Sequence, residues 1–286
     1  MKVCLISYIP EGEKIAAIAA KSTQSLNPPS KLDASEKAIE RILKHVIEKQ
    51  HSSVLNFPYY IFSFEGVSRV FTHQWVRYRI AAHLQQSLRY VEKRCEFVIP
   101  PTILRKGKDA VVTYLKNQKQ CFENYRRLLK LGIPKEDARF ALPSGIKTHI
   151  ISVMNAHELL HVFSQRLCYD AQWEIRIACH ALAAAVYLTS PKIFYNYGPA
   201  CISKNICLGR SEGACKDKVL SIIEKVKERV DSKRDIFENM ERGKEIEIDL
   251  TDILGFRVDN KIKECVKKEF GDIEIDYEVK VCVRKI

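Results

Sequence analysis

Arginine, glutamine and serine side chains are concentrated in the segment "QWVRYRIAAHLQQSLRYV", residues 74–91. Its charged side chains are Arg77, Arg79 and Arg89, and the segment contains no Asp or Glu. A guanidinium fork beside a hydroxyl and amides matches a phosphate, which offers negative charge and several oxygen acceptors together. A single arginine is usually a solvated surface group, but this concentration without a neighbouring acid favours anion binding. The segment therefore predicts a site for a phosphorylated ligand.

The excess of basic over acidic side chains lies in the first three quarters of the chain. The formal net charge is +12, and residues 1–215 hold 30 Lys and Arg against 17 Asp and Glu. Residues 216–286 hold 17 basic against 18 acidic side chains. Such a bias attracts phosphorylated metabolites, nucleotide cofactors or nucleic acid. A basic nucleic-acid-binding protein without catalytic activity is therefore one alternative that composition leaves open.

The segment "HELLH" (157–161) matches the HExxH signature of zinc proteases, in which two histidines bind the metal and the glutamate activates water. A protease would also need a third ligand and a cleft, and a five-residue match has a real false-positive risk. No GxGxxG or GxxxxGK[ST] loop occurs in the chain. If a dinucleotide binds, side-chain arginines must hold its phosphates.

Ten cysteines are present, and most of them lie within apolar patterns, where Cys behaves as a small hydrophobic residue. Cys201, Cys207 and Cys215 are closer together, in "CISKNICLGRSEGAC", but their spacing is not that of CxxC pairs and no fourth ligand is obvious. We therefore predict no metal site. No signal-peptide pattern or membrane-length apolar run is visible, which favours a cytoplasmic location.

Apolar periodicity predicts both helices and strands, so we expect an α+β protein. Predicted strands cover 3–8, 59–64, 245–250 and 273–283, and predicted helices cover 36–49, 66–79, 109–131, 146–168, 173–189, 217–230 and 260–269. The helix over 66–79 would place Arg69, His73 and Arg77 in one row. We interpret 1–215 as the main domain and 216–286 as an appended α+β subdomain that contributes no catalytic group.

The sequence resembles the flavin-dependent thymidylate synthases. The signature of that family is Arg-His-Arg followed, seven residues on, by Ser-x-Arg-Tyr; here Arg77-Tyr78-Arg79 precede Ser87-Leu88-Arg89-Tyr90 at that spacing. The resemblance covers roughly residues 1–215. It continues through "ARFALP" (138–143), "NAHELLHVFSQR" (155–166), "AQWEIR" (171–176) and "GPAC" (198–201). Two long motifs in the right order are more specific than HELLH, so the resemblance outranks the protease interpretation.

The resemblance implies the fold of that family, an α+β fold with a helical core, a mixed sheet and here a C-terminal α+β extension. It also implies the reaction of that family. The reaction converts dUMP to dTMP with methylenetetrahydrofolate as the carbon donor and reduced FAD as the hydride source, and NADPH is a further co-substrate. It also implies a homotetramer whose active sites are shared between subunits, with no membrane association, and it disfavours a nucleic-acid partner.

Motif positions imply two sets of site residues. The dUMP-binding set is Gln74, Arg77, Gln85, Gln86, Ser87, Arg89, Arg139 and Arg166, and Arg166 is also the implied catalytic residue. The FAD-binding set is Tyr78, Arg79, Ile80, Asn155, His157 and His161. Substrate phosphate would then supply the negative charge that the arginine-rich segment lacks.

Departures from the family pattern fall on the flavin side. Tyr78 and Phe57 stand where the family has histidines, His157 stands where it has an arginine, and Ala82 where it often has a serine. Tyrosine stays neutral near pH 7 and cannot replace a charged histidine. Two interpretations follow: a working synthase with an altered flavin site, or a flavin- or folate-dependent relative that modifies another pyrimidine nucleotide.

Overall fold

The computed structural model describes residues 1–210, 213–271, 273 and 275–286. The strands within these residues are β1 (Lys2–Tyr8), β2 (Tyr59–Ser68), β3 (Ala82–Gln85), β4 (Lys147–Asn155), β5 (Glu245–Asp249) and β6 (Lys280–Arg284). The helices are α1 (Gly12–Ser22), α2 (Glu36–Glu48), α3 (Arg69–Trp75), α4 (Pro101–Lys106), α5 (Lys108–Lys130), α6 (Lys135–Ala138), α7 (Ala156–Arg166), α8 (Trp173–Thr189), α9 (Ala200–Ser203), α10 (Lys216–Asp231), α11 (Arg234–Glu238), α12 (Thr251–Leu254) and α13 (Asn260–Phe270). Across these described ranges, no helix combines the length and apolarity needed to cross a bilayer.

Within the described ranges, the strands form one six-stranded sheet in the order β3-β4-β2-β1-β6-β5. Neighbouring strands are antiparallel except β1 and β6, which are parallel, so the sheet is mixed. Tyr60, Phe62 and Phe64 of β2 alternate onto one face of the sheet and are at most 1% exposed. They face the core that contains α8, whose side chains are apolar on nearly every side because the helix lies within the core.

The C-terminal part of the chain shares this sheet and core. Val279, Val281 and Val283 are fully buried, and Val3 of β1 lies opposite Val281 of β6. Helix α10 contributes Ile223 and other apolar side chains to the same core cluster. The division of the chain at residue 215 stays a prediction, but elements on both sides of it bury their apolar faces together.

The predicted helix over 146–168 is wrong in its first half. Residues 147–155 form β4, in which Thr148, Ile150, Ser152 and Met154 are buried in alternation. The alternation is a period-2 pattern, and pairing with β2 stabilises the strand over any helical tendency of the segment. The helix then begins only at Ala156. Pairing with β4 also extends β2 to Ser68, so that the helix predicted over 66–79 is confined to α3.

Other predicted elements are confirmed within a few residues: the strands at 3–8, 59–64 and 245–250, and the helices at 36–49, 109–131, 173–189, 217–230 and 260–269. The strand predicted over 273–283 is regular only at β6, and an isolated bridge joins Tyr277 to Phe256 before it. Position 274 of that prediction lies outside the described residues.

A buried carboxylate fixes the point where β2 ends and α3 begins. Ser68 donates from its backbone N–H to Oε1 of Glu174 at 2.7 Å and from its hydroxyl to Oε2 at 2.5 Å. Its Oγ also accepts the Phe71 N–H at 3.1 Å and so caps α3. Glu174 belongs to α8 and is 1% exposed. Burial raises the pKa of this carboxyl group, and the two bonds from Ser68 act in the opposite direction.

Shortening Val281 to alanine tests whether the C-terminal strand is part of the main fold. Removing two buried methyl groups should lower the free energy of unfolding by about 2 kcal/mol, because transfer and cavity costs add. Urea denaturation followed by circular dichroism measures this change. Arg284→Ala on the same strand is the control, since its exposed ion pair with Glu245 is worth less than about 1 kcal/mol. A separate early transition in Val281→Ala, with the main transition unchanged, would contradict a shared core.

Candidate functional site

Positive charges collect at the amino end of α3. Arg69 is the first residue of this helix, and both burial and the nearby Arg139 lower the pKa of its guanidinium. Burial also lowers the pKa of Lys93, to which Glu96 and Arg69 contribute in opposite directions. We call Arg69, Arg89, Lys93 and Arg139 the amino-end group. Arg69 lies close enough to Arg139 and to Lys93 for their charges to repel, an arrangement that favours a bound anion.

Arg89 has an acidic partner that lies outside its own sequence segment. Its Nε lies 2.6 Å from Oε2 of Glu136 in α6, and both side chains are about half exposed, at 56% and 43%. Arg139 donates from its Nε to the backbone oxygen of the same Glu136 at 2.8 Å. The expectation that the segment's arginines lack a carboxylate partner therefore holds for the sequence neighbours of Arg89 but not for its neighbours in space.

The serine and glutamines predicted to bind the nucleotide are already bonded to neighbouring groups. Ser87 Oγ accepts the Arg89 N–H at 3.1 Å, which orients the chain between the two residues. Gln86 Oε1 accepts from Lys93 Nζ at 2.6 Å and therefore adjoins the amino-end group. Gln85 instead donates to Thr72 Oγ1 of α3 at 2.8 Å. Gln74 lies near the opposite end of α3, and its amide donates to the Val70 carbonyl at 3.4 Å.

A second polar group lies beyond the carboxyl end of α3, and we call Tyr78, Gln165 and Arg166 the carboxyl-end group. The Tyr78 hydroxyl donates to Gln165 Oε1 at 3.1 Å and accepts from Arg166 Nε at 2.7 Å. The Arg166 guanidinium also lies 5.5 Å from the centre of the tyrosine ring. Burial raises the pKa of Tyr78 to about 12, although Arg166 acts to lower it. Tyr78 is thus a neutral bridge that orients the predicted catalytic arginine.

An open cleft beside α7 contains two of the predicted flavin-binding residues. His157 and His161 line this cleft of about 490 Å³ together with Tyr195 and Lys204. Burial lowers the pKa of His161, and the charge of Lys204 adds to the effect, so this imidazole is neutral at pH 7. The cleft therefore offers ring nitrogens and one ammonium group to a ligand.

The other predicted flavin-binding residues lie outside this cleft. Asn155 is 3% exposed; its Oδ1 accepts the Glu158 N–H at 2.8 Å and caps α7, and its Nδ2 donates to Asn56 Oδ1 at 3.0 Å. Arg79 and Ile80 are exposed, Ile80 to 62%. Glu158 of the HELLH segment is buried at 6% exposure and is not part of the cleft lining. It interacts electrostatically with His157 but does not face the cleft, so it does not present a water-activating base there.

In one chain, the predicted nucleotide-binding residues form two separate groups rather than one site. Helix α3 has seven residues and spans about 10 Å between the two groups. A phosphate can contact only donors within about 3 Å of its oxygens, so one phosphate cannot contact both groups at once. The basic residues that sequence reasoning missed are Lys93, which lies two positions beyond the arginine-rich segment, and Arg69 as a binding group.

Comparison with known proteins places these groups in context. The sequence profile of the family described as "Thymidylate synthase complementing protein" matches residues 4–192. The flavin-dependent thymidylate synthase of Saccharolobus solfataricus is 40% identical over 207 residues, which are 71% of this chain and 78% of that protein. The enzyme of the same name from Geobacter sulfurreducens is 38% identical over 210 residues, covering 71% of this chain and 89% of that protein.

A solved structure shares the fold. The UMP/dUMP methylase PolB from Streptomyces cacaoi, bound with 5-Br dUMP, superposes with a TM-score of 0.63 at 19% identity, covering 68% of this chain and 92% of that chain. At this identity the likeness shows the fold alone. The predicted α+β fold with a mixed sheet is confirmed.

Replacing Tyr78 with phenylalanine tests its role as a bridge. The variant should lose about 2 kcal/mol in free energy of unfolding, because it removes two part-buried hydrogen bonds, one of them from the charged Arg166. Urea denaturation measures the loss. Tyr59→Phe is the matched control, since this tyrosine is 46% exposed at the start of β2 and should change stability by less than about 0.5 kcal/mol. Equal stabilities in the two variants would show that the bridge contributes nothing.

Proposed function

This chain belongs to the flavin-dependent thymidylate synthase family, and we propose on that basis that it methylates dUMP to dTMP. Methylenetetrahydrofolate donates the carbon, reduced FAD supplies the hydride, and NADPH is the reductant. The observation that carries the proposal is the amino-end group, in which Arg69 lies near Arg139 and Lys93. Lys93 contacts Gln86, next to the motif residue Ser87, and Arg139 contacts Glu136, the partner of the motif residue Arg89. This is the charge and geometry that a nucleotide monophosphate requires.

A bound phosphate would reduce the repulsion between the cations of the amino-end group. Burial lowers the pKa of the Arg69 guanidinium, and the positive charge of the nearby Arg139 lowers it further. A dianion placed among these cations replaces repulsion by attraction and adds charge-assisted hydrogen bonds. We therefore assign the dUMP phosphate to Ser87, Arg89 and Arg139, supported by the charges of Arg69 and Lys93.

The ion pair between Arg89 and Glu136 does not prevent this binding. Both partners are about half exposed, and a solvent-screened pair of this kind is worth only about 0–1 kcal/mol. A bidentate contact between a guanidinium and a phosphate is stronger. Arg89 can therefore exchange its carboxylate for the substrate.

Arg166 is the residue that we assign to catalysis. Its Nε is fixed on the Tyr78 hydroxyl, which limits the orientations available to the guanidinium plane. A preoriented positive charge stabilises negative charge that develops on the pyrimidine ring during the reaction. The proposed dUMP-binding set is completed by the exposed Arg77, by Gln74 of α3, by Gln85, which contacts α3, and by Gln86 beside Lys93.

The cleft beside α7 fits the flavin cofactor. FAD has an anionic diphosphate and a ring with several hydrogen-bond acceptors, and the cleft offers the Lys204 ammonium and the nitrogens of His157 and His161. Bound FAD would supply the hydride, and the cleft residues bind and orient it. The exposed Arg79 and Ile80, together with Tyr78 and Asn155, complete the proposed flavin set, in which Asn155 acts by holding the start of α7.

We infer that the enzyme is a homotetramer, in which the amino-end group of one chain and the carboxyl-end group of another form one site. An apolar sheet face supports association: Tyr59, Ile61, Leu84 and Ile151 lie on one side of β2, β3 and β4, and they are 46%, 37%, 77% and 37% exposed. Contiguous exposed apolar residues of this kind mark protein interfaces. Folate and dUMP would then bind between subunits, in the cytoplasm.

Two arginine variants test the dUMP site. Arg89→Ala and Arg166→Ala should each weaken dUMP binding by about 1.5–3 kcal/mol, the cost of losing a hydrogen bond to a charged group. Lysine at either position should restore only part of the loss, because it lacks the planar fork. Isothermal titration calorimetry measures the affinities, and dTMP formation from dUMP, methylenetetrahydrofolate and reduced FAD measures the activity.

Arg105→Ala is the control for net charge, since Arg105 is an exposed arginine of α4, outside the proposed site. It should bind dUMP like the unaltered protein. Unchanged affinity in both Arg89→Ala and Arg166→Ala would refute the assignment of these residues. Tight dUMP binding without dTMP formation under any of these conditions would favour a relative that modifies another pyrimidine nucleotide.

A further inference from the structure

Four cysteines from separate parts of the chain line one cavity of about 330 Å³. Cys168 follows the end of α7, Cys201 lies in α9, Cys207 lies in the loop after it, and Cys215 is the residue at which α10 begins. The sequence shows the last three as a cluster without a fourth ligand. The fold supplies that fourth thiol, since Cys168 lies far upstream in the chain but beside the others in space.

Short contacts hold the loop after α9 against Cys168. A Cβ atom at Gly209 would lie 2.7 Å from Oδ2 of Asp170 and 3.2 Å from Sγ of Cys168, so a larger residue would require these side chains to move. The Arg210 N–H donates to the same Asp170 carboxylate. Cys207 Sγ lies 3.7 Å from the Gly209 carbonyl oxygen. The loop is therefore anchored where Cys207 and Cys168 share one wall of the cavity.

Burial and the nearby Cys215, Cys168 and Cys207 together raise the pKa of the Cys201 thiol, and positive charge lies beside the same cavity. Cys215 occupies the amino end of the 16-residue helix α10, where the helix dipole stabilises an anion. The half-buried guanidinium of Arg176 interacts electrostatically with Cys168, Cys215 and Asp170. Positive charge next to a sulfur ligand offsets part of the negative charge that four thiolates bring.

We propose that Cys168, Cys201, Cys207 and Cys215 bind one Zn²⁺ ion as a closed four-thiolate site. Soft thiolates in a set of four are the ligands of structural zinc, and the ion needs no further donor. Each thiol releases its proton to solvent as the metal binds. In the part of the chain that the structure describes, no three His, Cys, Asp or Glu side chains are yet arranged to hold a metal. The loop after α9 must therefore draw its sulfurs inward.

Zinc at this position would stabilise the elements that carry the site. It would tie the end of α7, where Arg166 lies, to the start of α10, which packs on the core helix α8. A structural zinc site with all four positions occupied by protein has no open coordination position for substrate. The ion would stabilise the fold and the position of Arg166 and would take no part in the reaction.

Metal analysis of the full-length protein tests the proposal. Protein from zinc-supplemented cultures, purified under reducing conditions without chelator, should contain about one zinc per chain by plasma mass spectrometry. Cys207→Ser and Cys201→Ser should each lose most of this zinc. Cys95→Ser is the matched control for Cys207→Ser, since both cysteines are exposed and Cys95 lies outside the cavity. It should keep the full amount.

A strong chelator provides a second readout that does not depend on activity. It should lower the Tm of the unaltered protein and of Cys95→Ser but leave the already lowered Tm of Cys207→Ser unchanged. Zinc-free protein after supplementation, equal zinc in all variants, or iron in place of zinc would overturn the proposal. If Cys201→Ser fails to fold, Cys207→Ser decides alone, because its exposed side chain leaves the core intact.

Discussion

The contact between Ser68 and the buried carboxylate of Glu174 determines where the polar groups of this enzyme lie. It ends β2, caps α3 and attaches both to the core helix α8. A carboxyl group this deeply buried is tolerated because its oxygens accept hydrogen bonds from Ser68. Since α3 starts at this fixed point, its length sets the separation of the amino-end group from the carboxyl-end group. The rest of the proposed site depends on that separation.

The altered motif residue Tyr78 gains a clear role from this geometry. In the family pattern its position holds a histidine; here the phenol lies between Gln165 and Arg166, buried and neutral. The substitution removes a possible positive charge but supplies both an acceptor for Arg166 and a ring for the guanidinium to contact. Tyr78 therefore compensates for the absent histidine by fixing the orientation of Arg166, the residue that we assign to catalysis.

Local signals in the sequence predict much of the fold, and tertiary contacts account for what they miss. The long helices α5 and α8 were predicted because sustained apolar patterns and flanking Gly or Pro residues specify them. β4 was missed because its alternation is visible only once pairing with β2 gives it a buried face. The motif residues were predicted by resemblance, but their separation into two groups could not be, since the length of α3 depends on Ser68 and Glu174. Likewise, the Glu136 partner of Arg89 and the proximity of Cys168 to the later cysteines arise from long-range folding.

The central claim is that two chains must combine the amino-end and carboxyl-end groups to make one active site. Subunit complementation tests it most directly: Arg89→Ala and Arg166→Ala chains carrying different tags are co-expressed, and mixed assemblies are purified through both tags. If the two groups of a site come from different chains, some mixed sites contain both arginines, and dTMP formation at low dUMP concentration should exceed that of either variant alone. If both groups of a site come from one chain, every mixed site lacks an arginine. Mixed assemblies that are no more active at low dUMP concentration than the separate variants would contradict the account.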